Sequence, residues 1–170
     1  MKKKIALVAL IFAMLVTPAF AIGGVSDDNS FGIGLNLGNN TGVGMRFGFG
    51  DFDVLANVGL AAFSLNSSGL GLGGDAAFSW NFYTIDGGRA LEFPLTVGAG
   101  VSSSFFFGEK TTVNLSVLFP VGIEYNFDQL DPDVPITVYF RLAPGFTVLK
   151  ANNPDVSFEM SAYLGALWNF

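Results

Sequence analysis

The side chains able to do chemistry in this sequence are few, and almost all are carboxylates. The chain contains no cysteine and no histidine. Structural zinc sites, disulfides and every catalytic apparatus built on a thiolate or an imidazole are therefore excluded. What remains in the patterned part of the chain is Asp75, Glu92, Glu124 and Glu159 against Arg46 and Arg141, with Tyr139 close by. Two carboxylates can in principle divide the roles of general acid and general base. Two guanidiniums among four carboxylates can equally form a buried network of ion pairs. The elements that carry these residues decide between the two.

Composition narrows those elements. The 170 residues are 51% hydrophobic and 15% aromatic, with 22 Gly, 19 Phe and only 13% charged residues. This is too apolar for a disordered chain. It is too rich in glycine for a helical bundle, where each interior Gly costs about 1 kcal/mol. Met1-Lys2-Lys3-Lys4, an apolar run from Ile5 to Val16, and Ala19-Phe20-Ala21 form the three parts of a secretory signal peptide. The run is shorter than the ~20 residues of a spanning helix. The expected organisation is a signal peptide over 1–21 and one domain over 22–170. Removing the leader leaves five basic against 14 acidic residues, a net charge of −9. That balance disfavours nucleic acid, whose phosphates call for a basic footprint. No cysteine follows the leader, which excludes a lipidated N-terminus.

No later stretch approaches 18 consecutive apolar residues, so no spanning helix is expected. The chain alternates with a period of two instead. In the last segment Val156, Phe158, Met160, Ala162, Leu164, Ala166, Trp168 and Phe170 share one parity, opposite Ser157, Glu159, Ser161, Tyr163, Gly165, Leu167 and Asn169. Such alternation marks a strand with one apolar and one polar face. Eight segments of this kind are expected, over 30–38, 43–50, 54–64, 71–83, 90–107, 112–127, 135–149 and 156–170, the third being the weakest. Turn signals separate them: 39–42, 50–53, 66–69, 86–88, 108–111, 128–135 and 151–154.

None of the apolar-parity positions is charged, whereas the opposite parity holds Arg46, Asp75, Glu92, Glu124, Arg141 and Glu159 among many Gly, Ser, Asn and Thr. An eight-stranded barrel has an interior just wide enough for side chains to fill. The large residues must then face out and the small or polar ones in, as in a transmembrane barrel. Closure would also satisfy every backbone group without water. The expected fold is all-β, a closed eight-stranded antiparallel transmembrane β-barrel. Inward glycines such as Gly44, Gly122 and Gly165 make room for the charged side chains. Reflecting the sixth and seventh segments about their turn places Glu124 opposite Tyr139 and diagonal to Arg141, so a Glu124–Arg141 pair is expected within a polar interior network. The same reflection sets Pro120 beside Ala143 and near the level of Pro144. Two prolines there imply either a pair of bulges or a weakened seam. Trp80, Phe82, Phe127, Trp168 and Phe170 gather near one set of strand ends, as an interfacial aromatic girdle does.

Tyr163-Leu164-Gly165-Ala166-Leu167-Trp168-Asn169-Phe170 alternates and ends in Phe. This stretch resembles the C-terminal signal by which the barrel assembly machinery recognises bacterial outer-membrane proteins. With the leader and the eight segments, the chain resembles the small eight-stranded outer-membrane barrels of the OmpA/OmpX kind. That resemblance implies an outer-membrane location, contact with outer-membrane lipids, monomers, and both termini in the periplasm. Tyr163, Leu164, Leu167, Trp168 and Phe170 would carry the assembly signal. Phe105-Phe106-Phe107 lies on an extension of the fifth segment, where it would continue the lipid face or offer a surface contact. Enzymes of this architecture use histidine as base, and this chain has none. No catalysis, metal or cofactor is expected. The expected role is structural or surface-interacting, with a narrow pore or a lateral-access channel for small hydrophobic solutes as the alternative.

Overall fold

A computed structural model describes residues 24–25, 30–61, 70–88, 91–107, 111–150 and 156–170. The expected leader, the turn at 66–69, the tip at 108–110 and the turn at 151–154 lie outside the described residues. No helix among the described residues is long and apolar enough to cross a membrane.

The described chain forms nine strands: β1 (Phe31–Gly38), β2 (Asn40–Gly48), β3 (Asp53–Ala61), β4 (Leu70–Asp86), β5 (Glu92–Phe107), β6 (Thr112–Leu118), β7 (Val121–Asn126), β8 (Ile136–Lys150) and β9 (Ser157–Asn169). A single 3-10 turn, Phe127–Gln129, precedes β8. All pairings are antiparallel. The order β4-β3-β2-β1-β9-β8-β6-β5 returns from β5 to β4, so the hydrogen-bonded ladder runs as a ring through eight strands. The ring is compatible with a β-barrel.

The ninth strand arises because proline interrupts the sixth expected segment. β6 and β7 both pair with β5 on one side and β8 on the other. Leu118 faces Gly145 and Val121 faces Leu142, which is one unbroken register across residues 119 and 120. The Phe119 N–H donates to the Pro144 carbonyl at 2.9 Å, and the Gly98 N–H donates to the Pro120 carbonyl at 2.7 Å. Proline has no N–H to return either bond. One ladder bond is therefore missing on each side of the Phe119–Pro120 link.

Neither proline coincides with a bulge. The register shifts lie elsewhere, between Asn81 and Tyr83 on β4 and between Leu115 and Ser116 where β6 meets β8. Each shift reverses which parity faces out. Phe82 and Tyr83 are both exposed although adjacent, and so are Val148 and Leu149. Beyond the second shift Lys150 pairs with Asn114, which carries it onto the inner face. The first turn is tighter than its sequence suggests. Asn40 and Thr41 belong to β2, and the Thr41 hydroxyl donates to the Gly38 carbonyl at 2.9 Å.

The two faces divide as alternation requires. The outward parity exposes large hydrophobics on every strand, among them Leu35 at 69%, Phe158 at 63% and Leu164 at 54%. The inward parity buries Arg46, Glu124 and Arg141 to between 2% and 4%. Phe52 stacks with Phe49 and meets Phe78 edge-on near the β2–β3 turn. Phe31 stacks on Phe170, and Tyr125 meets Phe127 edge-on. Aromatic rings thus gather at the end of the ring where Phe170 lies.

Candidate functional site

The inner face of the ring holds all but one of the charged side chains singled out in the sequence. Glu124 on β7 stands opposite Tyr139 on β8, with Arg141 two residues further along the same face. One Arg141 terminal amine donates to Glu124 Oε1 at 2.6 Å. Arg46, reaching across the ring from β2, donates to Glu124 Oε2 at 2.7 Å. Its second amine donates to Thr137 Oγ1 and to Asn169 Oδ1, each at 2.9 Å. The Arg141 guanidinium lies over the Tyr139 ring, 3.9 Å from its centroid. Cation–π contact of this kind strengthens when water is excluded.

One carboxylate between two guanidiniums is an arrangement in which burial costs much and mutual attraction offsets much. The remaining polar contacts offset more of the cost. Tyr139 donates its hydroxyl to Asn36 Oδ1 at 2.8 Å, and Asn36 donates to the Asn40 carbonyl at 2.8 Å. This chain of bonds ties β8 to β1 and β2 through the middle of the ring. Glycine makes it possible. A Cβ on Gly165 would run into the hydroxyl end of Tyr139, and a Cβ on Gly122 would come within 2.6 Å of Arg141 Cγ.

Two further carboxylates have separate settings. Asp75 accepts from Asn57 at 2.6 Å and from Asn40 at 2.8 Å. Glu159 Oε2 accepts from Ser116 at 2.9 Å and from Thr147 at 2.7 Å. Asp75, Glu124 and Glu159 are thus each held by donors of their own.

Glu92 is a correction. Its parity places it inside, but it is exposed at the first position of β5, where its backbone N–H donates to Gln129 Oε1 at 3.0 Å. The parity is right, but Glu92 stands at the strand's end, beyond the enclosed part of the ring. Asp53, at the first position of β3, is buried to 1% on the inward parity, so two arginines stand against four buried or inward carboxylates, Asp53, Asp75, Glu124 and Glu159.

The remaining residues divide by parity. Of the C-terminal stretch, Tyr163 and Leu167 are buried inside, and Leu164, Trp168 and Phe170 are exposed outside. Phe105 and Phe107 are exposed on the outward face. Phe106 turns the other way and lines a cavity within the ring. Behind Pro120 the interior leaves a void of only about 20 Å³, among Leu55, Leu118, Ala143 and Tyr163. That is room for about one water molecule.

Asn36, Asn40, Asn57, Thr137 and Asn169 complete the network and were not singled out in the sequence. Parity alone would have marked four of them, since Asn36, Asn57, Thr137 and Asn169 alternate with outward hydrophobics. Lys150 carried no such signal, because only the bulge brings it inside. Among the described residues no group of three or more potential ligands could hold a metal ion. No protein-family model, no curated protein and no solved structure matches the chain.

Proposed function

We infer that the chain is an integral bacterial outer-membrane protein, a closed eight-stranded transmembrane barrel whose polar interior is plugged. Its role is structural or surface-interacting, without catalysis. The observation that carries this reading is the inverted placement of residue types. Leu35, Phe158 and Leu164 stand exposed while Arg46, Glu124 and Arg141 are buried. In water such a surface would be an aggregation hazard, since exposed apolar patches beyond a few hundred Å² are rare on soluble monomers. In a bilayer it is the lipid face.

The strands suit that solvent. The long ones, β4 with 17 residues and β8 with 15, exceed the ~9–11 needed to span. The leader would direct export, and the C-terminal stretch ending in Phe170 would be read by the barrel assembly machinery. Both termini would then face the periplasm, and the β1–β2 and β5–β6 turns the outside. The Arg46–Glu124–Arg141 cluster and the Tyr139–Asn36 bond occupy the cross-section, which supports a plugged barrel over a pore.

Fractionation tests the reading. The protein should be recovered from outer membranes with detergent and should migrate differently on a gel before and after boiling. Recovery in the soluble fraction would refute it. Planar bilayers containing the folded protein should show no conductance, and stepwise conductance would replace the plug with a channel.

A further inference from the structure

At the end of the ring away from Phe170, the inner face opens into a cavity of about 420 Å³. This lies within the roughly 300–1,000 Å³ typical of small-molecule sites. Its wall has a definite chemistry. Ser102 and Ser104 contribute hydroxyls, and Asn114 an amide. Glu159 supplies one carboxylate, Lys150 one ammonium, and Phe106 one aromatic ring.

One polar atom in this wall, Asn114 Oδ1, is buried without a hydrogen bond among the described residues. The Tyr163 hydroxyl, by contrast, lies against Asp75 and Ser161. Buried polar groups are almost always satisfied, so the Asn114 oxygen calls for a partner. Among the described residues Glu159 accepts both of its hydroxyl donors through Oε2, and Oε1 accepts none.

The lining narrows the ligand class. An apolar ligand would strip these groups of water and return no hydrogen bonds, at a cost of about 1–3 kcal/mol each. An anion would meet Glu159, and a cation would meet Lys150. A neutral ligand that donates and accepts at closely spaced positions satisfies both charges and the Asn114 oxygen. Vicinal hydroxyls do so, and the apolar face of a sugar ring packs on an aromatic side chain such as Phe106. The two devices that build the site are local. Strand alternation sends only the middle residue of Phe105-Phe106-Phe107 inward, and the β6–β8 bulge turns Lys150 in from the outward parity. Bulges commonly re-aim a side chain in this way.

We propose that this cavity binds a neutral saccharide of one or two sugar rings. The assignment deepens the surface-interaction reading and rests on it, but it requires only a folded ring. The test uses the full chain in an amine-oxide detergent, which has no sugar headgroup, with the unboiled gel shift as a check of folding. Glucose, galactose, N-acetylglucosamine and maltose are titrated by saturation-transfer NMR, with glycine and inorganic phosphate alongside. At least one sugar should bind saturably. Binding should weaken about tenfold in Glu159→Gln, the loss of one hydrogen bond to a charged group, and comparably in Phe106→Ala. Phe105→Ala, on the outward face, should bind as the parent does. A folded protein that binds none of the four sugars overturns the proposal. So does one that binds only glycine or phosphate, or one whose Glu159→Gln and Phe106→Ala variants bind like the parent. Loss of the gel shift in the parent protein would instead strike the barrel reading itself. Repeating the titration with a glycolipid in bilayers separates a diffusing sugar from a membrane-anchored one; binding of either supports the saccharide.

Discussion

Gly165 and Tyr139 face each other across the β8–β9 ladder, and the phenol ring occupies the space where a side chain on Gly165 would begin. From there the Tyr139 hydroxyl reaches Asn36 on β1. Gly165→Ala should therefore push Tyr139 off Asn36 and destabilise the fold by about 1–3 kcal/mol, the usual cost of overpacking. Urea unfolding of the detergent-folded protein would measure this. Tyr139→Phe should cost less, because it removes the bond without displacing the ring.

The Arg46–Glu124–Arg141 cluster makes a stronger prediction. Glu124→Gln leaves two buried guanidiniums with no carboxylate between them. Removing one partner of a buried ion pair typically costs about 3–5 kcal/mol. The double variant Arg46→Met with Glu124→Gln should recover part of that loss, since one of the two stranded charges is gone. Equal stability of the single variant and the parent would show that the cluster contributes nothing.

On the outward face, Leu164 pairs with Phe140 midway along β8 and β9. Leu164→Lys should cost about 2–4 kcal/mol in a bilayer, the depth-dependent cost of a cation near the midplane. The same change at Phe158, near the start of β9, should cost less. Equal costs at both sites would argue against a membrane on that face.

The bulge near Val148 gives a labelling prediction. Because the chain has no cysteine, single-cysteine variants report cleanly. Lys150→Cys should react with a water-soluble maleimide on the folded protein, and Val148→Cys should be shielded by detergent or lipid. Equal labelling would mean that Lys150 does not turn inward.

The prolines make a prediction about the ladder. Pro144→Val supplies an N–H to the Phe119 carbonyl and should stabilise the fold by about 1 kcal/mol, one net hydrogen bond. Replacing both Pro120 and Pro144 by Val should leave uptake of an apolar probe unchanged, given the void of about 20 Å³ behind Pro120. A fall in uptake would reinstate a lateral path through the seam.

The sequence by itself determined which residues face each way up to the two register shifts, because a strand's side chains alternate and no charge falls on the apolar parity. It also determined the Glu124–Tyr139 register and the Arg141 partner, since both lie on segments joined by one turn and pairing by reflection is local. Tertiary structure alone decided the rest. Arg46 meets Glu124 only because the ring brings β2 opposite β7, 78 residues apart in the chain. Glu92 lies outside the network because position along a strand, which parity does not encode, sets whether a side chain is enclosed. Lys150 faces the cavity because one extra residue at a bulge reverses the alternation. Nothing in the residue types announces that bulge, as it satisfies the pairing of β6 with β8 rather than any preference of its own segment.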